Sequence, residues 1–328
     1  MKAMRFVVLA GATVPACATG AFAAKPTDWE TQFQPAATDI MAQIQWFANY
    51  TMWFVVPIVV LVMALLGIVM FRFRASANPT PSGTSHNTLI EVAWTVLPVL
   101  VLLFIAIPSF QLLTAQYSPP APPAVTVKAT GHQWYWSYDY QGGGKQDVSF
   151  DSLMLDADGR KDADKTDMAQ YPRLLAVDNE MVVPVGKVVR VLVTSGDVIH
   201  SFAMPSFGVK MDAIPGRINE AWFKVEKPGI YYGQCSELCG QNHAFMPIAV
   251  RAVTPEQYRN WAASAAKDLG SANKQLRASI AAGRKNDDVA SGERAGTVRL
   301  ADAAAHEPPY GSQGATQNTT PGTSTGRE

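Results

Sequence analysis

The chain has 328 residues, and 27 Lys and Arg balance 27 Asp and Glu, so its formal charge is zero and no basic surface points to nucleic acid. Three cysteines are too few for a disulfide-stapled scaffold, and the length suits two domains or one domain plus membrane segments. Of the five histidines, His86 falls between two apolar runs and His306 in a low-complexity tail, which leaves His132, His200 and His243 for a folded head.

Residues 1–24 read as a secretory signal peptide. Lys2 and Arg5 open it, an apolar run follows at 6–14, and Ala21-Phe22-Ala23 offers small residues for cleavage. Lipoprotein processing at Cys17 is the alternative, although Val14-Pro15-Ala16 matches that signal poorly. Residues 25–118 hold an N-terminal segment and a transmembrane hairpin. Its two uncharged runs, about 50–71 and 92–113, are each long enough at about 1.5 Å per residue to cross a hydrocarbon core of about 30 Å. Pro57, Pro98 and Pro108 lie inside these runs, where neighbouring helices compensate for the missing hydrogen bonds. Arg72 and Arg74 stand between the runs, whereas 114–127 has no Lys or Arg. The excess of positive charge puts the connection in the cytoplasm and both termini outside. Glu91, at the start of the second run, is an ionisable group at a membrane boundary and therefore a functional candidate, with a simple interfacial anchor as the alternative.

A stiff Pro-rich linker, 119–124, leads into a head at 125–266. Short β-like stretches at 125–130, 134–140, 174–177, 188–194, 221–225, 230–232 and 248–252 are separated by Gly, Pro, Asn and Asp, the pattern of an all-β sandwich or barrel. Trp134, Trp136, Tyr138 and Tyr140 share one face if their segment is a strand, and most of them then belong to the core. Asp139 to Asp167 contains eight Asp against four Lys or Arg, a bias that attracts a basic partner or merely solvates a loop. Thr254-Pro255-Glu256-Gln257 opens a helix with a capping Thr and Pro at the first helical position. Residues 267–328 are rich in Ala, Gly, Ser, Thr and Asn and read as a disordered tail.

The chemistry concentrates late in the head. Cys235, Cys239, His243 and Met246 fall at i, i+4, i+8 and i+11, and a second imidazole, His200, precedes them. Thiolate and thioether sulfurs are soft donors that favour copper, and two Cys, two His and one Met suit two copper ions sharing both sulfurs. A disulfide and a Cys2His2 zinc site are the alternatives. A disulfide leaves His243 and Met246 unexplained, and zinc leaves Met246 without a role.

The hairpin, the β-rich head and this ligand set together resemble subunit II of haem–copper cytochrome c oxidases. Matching blocks are Gly131-His132-Gln133-Trp134-Tyr135-Trp136, Ser149-Phe150-Asp151-Ser152, Asp212-Ala213-Ile214-Pro215-Gly216-Arg217, Tyr231-Tyr232-Gly233-Gln234-Cys235-Ser236-Glu237 and Phe245-Met246-Pro247, within a match from roughly 28 to 264. The resemblance implies a cupredoxin-like head with a dinuclear copper centre, CuA, held by His200, Cys235, Glu237, Cys239, His243 and Met246. Both thiolates would bridge, each His would cap one copper, and Met246 sulfur and the Glu237 carbonyl would be weak axial ligands. Two shared thiolates spread one electron's charge over two metals, so each bond changes little on electron transfer. The resemblance also assigns the Glu237 carboxylate to a magnesium ion shared with subunit I, Trp134 to the point where electrons enter from cytochrome c, and Glu91 to the mouth of a proton pathway. Asp139, Asp147, Asp151 and Asp178 match docking positions, while Gly142-Gly143-Gly144 and 156–167 depart from the family pattern. His132 is not a copper ligand in such proteins. The implied activity is that of a proton-translocating cytochrome-c oxidase, as one of several subunits, in a bacterial inner membrane with the head on the periplasmic side. Because the membrane helices lack histidines for haem, oxygen reduction would belong to subunit I. A quinol oxidase subunit II would lack the copper ligands. A copper chaperone or thiol redox protein using the CxxxC pair would show a βαβ pattern, which is absent from the sequence. Nitrous oxide reductase has a similar motif but a large catalytic domain, and the absence of Cys-x-x-Cys-His excludes a fused c-type haem.

Overall fold

In a computed structural model, residues 22–141 and 148–283 are described. Two long apolar helices come first, α1 (Asp39–Arg72) and α2 (Thr88–Tyr117). Thr38 caps α1 by accepting from the Met41 N–H, and Asn87 caps α2 by accepting from the Ile90 N–H. Both helices are long and apolar enough to cross a membrane, and their apolar side chains face outward. Both run longer than the predicted spans, α1 because it begins inside the head. Ile40 and Met41 are buried there, and the Thr38 hydroxyl donates to Phe207 O at 2.8 Å. The helices touch through Tyr50, whose hydroxyl donates to Phe104 O at 3.1 Å. Trp46 stacks on Tyr50 at this head-side end, an arrangement suited to a membrane interface.

The head is a sandwich of two sheets. In chain order its strands are β1 (Phe22–Ala24), β2 (Val125–His132), β3 (Tyr135–Gln141), β4 (Val148–Ser152), β5 (Met181–Pro184), β6 (Val189–Ser195), β7 (His200–Met204), β8 (Val209–Ala213), β9 (Asn219–Phe223), β10 (Gly229–Cys235) and β11 (Pro247–Val253). One sheet has the order β5-β11-β10-β7-β8, with β1 alongside β10, and the other is β4-β3-β2-β6-β9. Alternation places Val127, Ala129, Trp136, Tyr138, Val189, Val191 and Val193 between the sheets. Strands β10 and β11 are buried on both faces, because residues 153–180 cover the outer one. Tyr171, Ala176 and Val177 pack there against Ile230, Tyr232 and Ala249. Beside them lies a buried ionic network, with Glu180 bound to Lys165 at 2.6 Å and to Arg251 at 3.0 Å. Burial alone would raise the Glu180 carboxyl, but the two cations hold it down at about 2.

Three expectations need correction. The stretch 174–177 makes one isolated bridge, Met154 to Val177, rather than a strand. Leu174 has φ 67°, and Leu175 and Ala176 both donate to Pro172 O, so the chain turns where an extended run was expected. Trp134 precedes β3, so it shares no strand face with Trp136, Tyr138 and Tyr140, which are core residues as expected. The tail does not begin at 267. Helix α4 (Pro255–Ala265), which opens with the expected Thr254 cap as a full capping box, is followed by α5, residues 269–283. Ala272 and Leu276 of α5 are buried with Trp261 in the main core, at the end of the sandwich where Trp261 meets Tyr140 and Phe150. The apolar positions Leu269, Ala272, Leu276 and Ile280 have helical spacing that the Ala-rich composition masks. Strand β1 includes two residues that cleavage after Ala23 would remove, and it lies parallel to β10. The rest of the predicted signal, Asp147, Gly142-Gly143-Gly144 and residues 284–328 lie outside the described residues.

Candidate metal centre

His200 opens β7 and is fully buried. Three features fix its ring. Asp197 Oδ1 lies 2.8 Å from Nε2, so Nδ1 is left facing the cysteines. Trp136 packs edge-on against it with centroids 6.2 Å apart. Gly131 gives it room, since a Cβ there would come within 2.9 Å of the imidazole. Asp197 is itself held, accepting from the Gln133 N–H at 2.7 Å and the Val198 N–H at 2.6 Å.

Cys235 ends β10, where its register partner is Phe202 of β7, and this pairing brings His200 and Cys235 to the same rim. The chain then loops through Cys239 to a short turn at His243–Phe245 and returns into β11 after the buried Met246. Gly240 has φ 119°, and a Cβ there would meet the Trp134 ring at 3.0 Å, so both backbone angle and close approach demand glycine. The Cys239 carbonyl accepts from Gln133 Nε2 at 2.9 Å and Trp134 Nε1 at 3.2 Å, which ties the loop to the β2–β3 turn.

The donors form a row. His200 Nδ1 lies 3.9 Å from Cys235 Sγ, the two sulfurs are 3.9 Å apart, and Cys239 Sγ lies 3.5 Å from His243 Nδ1 and 3.6 Å from Met246 Sδ. The Glu237 carbonyl is 3.3 Å from Cys235 Sγ. Ligand atoms of His200, Cys235 and Cys239 all lie within 4.8 Å of one another. Both cysteines are free, so the pair is not a disulfide here. A thioether beside two thiols and two imidazoles is a soft donor set, which fits copper better than zinc. Burial opposes charge on both thiols. Hydrogen bonding to His200 overcomes it at Cys235 and lowers that thiol to about 6, whereas Cys239, facing Cys235, is pushed up to about 12. His200 is raised despite its burial, because Cys235 and Asp197 favour its protonated form. Metal binding requires both thiols as thiolates, so it releases protons.

The other candidates lie apart from this row. Trp134 is half-buried over the Cys239–Gly240 segment, and the Glu237 side chain is exposed at the loop's tip. Glu91 accepts from the Asn87 N–H at 3.1 Å and so caps its own helix. His132 stacks on Tyr135 at 4.7 Å and packs over Gly196, away from the sulfurs. Asp139 and Asp151 project from the outer face of β3 and β4, where Asp139 pairs with Lys128 at 3.7 Å and Asp151 accepts from Ser137 at 2.6 Å. Asp178 accepts the Leu153 N–H at 2.8 Å, and burial raises its carboxyl. Sequence reasoning missed Asp197, Gln133 and Gly131 as supports of the site. The block Gly131–Trp136 was visible, but its target lies in the other sheet.

Family models match both parts of the chain. "Cytochrome C oxidase subunit II, periplasmic domain" covers residues 125–253 and "Cytochrome C oxidase subunit II, transmembrane domain" covers 26–112. A Rickettsia felis protein named "Probable cytochrome c oxidase subunit 2" is 48% identical over 243 residues, 74% of this chain and 74% of its own length. Cytochrome c oxidase subunit 2 of Zea mays is 46% identical over 242 residues, 73% of this chain and 90% of its own. The crystal structure of the periplasmic domain of subunit II of cytochrome oxidase of Bradyrhizobium japonicum is 56% identical, covers 45% of this chain and 96% of its own, and has a TM-score of 0.39.

Proposed function

The chain belongs to the cytochrome c oxidase subunit II family, and from that premise we propose that it takes single electrons from cytochrome c through a dinuclear copper site and delivers them to haem in the partner subunit, where oxygen becomes water. It is a two-pass membrane subunit of an oxidase complex. The observation that carries the copper reading is the row of His200, Cys235, Cys239, His243 and Met246, with two free thiols at its centre. Copper would supply reversible one-electron chemistry there. His200, Cys235, Cys239, His243 and Met246, with the Glu237 carbonyl, would hold the metal. The cage resists rearrangement, since Asp197 and Trp136 hold the His200 ring while the Gln133 and Trp134 side chains hold the Cys239 carbonyl from outside the row.

Trp134 touches the metal loop directly, which supports it as the contact where electrons enter. Its flat, half-exposed ring suits a brief encounter. Asp139, Asp147, Asp151 and Asp178 would attract the basic face of cytochrome c. The exposed Glu237 carboxylate is a hard oxygen suited to magnesium, with the remaining ligands coming from subunit I. Glu91, at the loop end of α2, is placed to pass protons toward the partner subunit in a proton-translocating complex. Arg72 and Arg74 at the opposite end of the hairpin from the head support a periplasmic head on a bacterial inner membrane.

Metal analysis with electron spin resonance on the purified protein tests the centre. The expected result is two coppers per chain sharing one unpaired electron. One zinc ion, or a Cys235–Cys239 disulfide that survives copper loading, would overturn it. Stopped-flow reduction of the complex by cytochrome c tests the route. Trp134→Ala should keep its copper yet slow electron arrival strongly, and wild-type rates at every ionic strength would remove Trp134 from the path. Glu91→Gln should slow oxygen reduction while the copper site still reduces normally, and unchanged turnover across pH would reduce Glu91 to a helix cap.

A further inference from the structure

Residues 178–180 sit where several parts of the head meet. Asp178 Oδ1 accepts the Leu153 N–H at 2.8 Å, so it fastens the exit of β4. Asn179 Nδ2 donates to Asp151 O at 3.0 Å, and Glu180 binds Lys165 and Arg251. Lys165 also donates to Val177 O at 2.7 Å and Asp178 O at 2.8 Å. This junction carries Asp151 and Asp178, two of the proposed docking acids, and its backbone sets where their carboxylates stand.

One more bond reaches the junction from α5. Asn273 Nδ2 donates to Asn179 Oδ1 at 3.1 Å, while Asn273 Oδ1 accepts from Trp261 Nε1 at 2.9 Å. Asn273 is 8% exposed, so a primary amide is buried with both ends engaged and its orientation is fixed. Its buried neighbours on α5, Ala272 and Leu276, are apolar and join the main core, so they anchor the helix without the amide. What the amide adds is a rigid link, from Trp261 through Asn273 and Asn179 to Asp151.

We propose that α5 is a positioning element for partner docking: through Asn273 and Asn179 it fixes the junction that presents Asp151 and Asp178 to a basic redox partner. This rests on the docking reading above. Long-range attraction depends on the summed charge and hardly notices a small displacement of one carboxylate. The close encounter does notice it, because complementary charges must fall opposite one another. Loss of the link therefore weakens docking without touching the metal row, which lies on other elements.

The test uses the purified oxidase complex and reduced, basic cytochrome c at several ionic strengths. Asn273→Ala, Asn179→Ala and their double variant are compared with Asp151→Asn and Asp178→Asn. At low ionic strength each asparagine variant should raise KM by up to about fivefold, the scale of one exposed charge pair moved out of register. Their kcat and copper absorption should stay at wild-type values, and the difference should close as salt rises. The double variant should be no worse than the worse single one, since both break the same link. If the aspartate variants raise KM but Asn273→Ala matches wild type, α5 is packing alone and the proposal fails. If kcat or copper absorption falls along with KM, the helix supports the whole head, and the specific positioning role is overturned. If neutralising the aspartates changes nothing, the docking reading itself is wrong, and the role assigned to α5 falls with it.

Discussion

The metal centre has two shoulders built in opposite ways. Cys235, Cys239, His243 and Met246 come from one short loop, where backbone turns at Gly240 and His243 do most of the placing. His200 comes from a strand 35 residues away from Cys235 and is held by Asp197, Trp136 and the space above Gly131. The loop shoulder is local and partly exposed, with His243 half-buried, whereas the β7 shoulder is long-range and its imidazole is closed to solvent. The imidazole is fixed between two sheets, whereas the loop is tied to the rest of the head through the Cys239 carbonyl, so the β7 shoulder serves as the template against which the loop is set.

The largest effect should come from the shared sulfurs. Cys235→Ser or Cys239→Ser removes a donor that both shoulders face, and each should abolish the native copper signal and reduce turnover to background. Metal analysis and the copper spectrum check this. Retention of a wild-type spectrum in either variant would mean that the row does not hold the metal.

The two histidines should then come apart. Both His200→Asn and His243→Asn should distort or lose copper. In metal-free protein they should differ. Replacing His200 loses its bond to Asp197 and leaves a gap against Trp136 in a fully buried position, which should cost about 1–3 kcal/mol of stability. Replacing His243 at the rim should cost less than about 0.5 kcal/mol. Denaturant unfolding after chelation measures both, and equal losses would erase the distinction between template and loop.

That distinction also explains what was legible beforehand. The loop's ligands announce themselves because soft donors at short spacing have few other uses, and the apolar runs that became α1 and α2 announce themselves by length. His200 was legible only as a second imidazole well upstream of the loop, without the short spacing that marks the other ligands. Its supports were invisible for a physical reason: Asp197, Gln133 and Gly131 act across a sheet-to-sheet contact that no sequence period encodes. The same holds for α5, whose apolar positions were correctly spaced but diluted by alanine, so composition outweighed period. The strand expected at 174–177 failed in the other direction, because an apolar run that covers the outside of a sheet looks like a strand inside one.

A smaller effect should separate holding from aiming on the β7 shoulder. Asp197→Ala keeps every proposed ligand but frees the His200 ring to turn. Partners of this kind tune affinity by about 10–100-fold, so copper should still bind but be lost to a competing chelator at correspondingly lower concentration. A chelator titration of wild type and variant reads this directly. No change would mean that Trp136 and the space above Gly131 are enough to orient the ring.

The smallest effect belongs to the tie between the shoulders, and its pattern matters more than its size. Gln133 and Trp134 both donate to the Cys239 carbonyl, at 2.9 and 3.2 Å. A carbonyl has two lone pairs but needs only one partner to escape the full penalty of burial. Gln133→Ala or Trp134→Phe alone should therefore cost only about 0.5–1.5 kcal/mol, because the other donor remains. Making both changes strands the carbonyl between the loop and the β2–β3 turn, so the double variant should lose more than the sum of the singles, with a coupling of about 1 kcal/mol. Unfolding of the metal-free protein gives the three differences. Simple additivity would show that the loop reaches its place unaided, and that the β7 shoulder is a template for His200 alone.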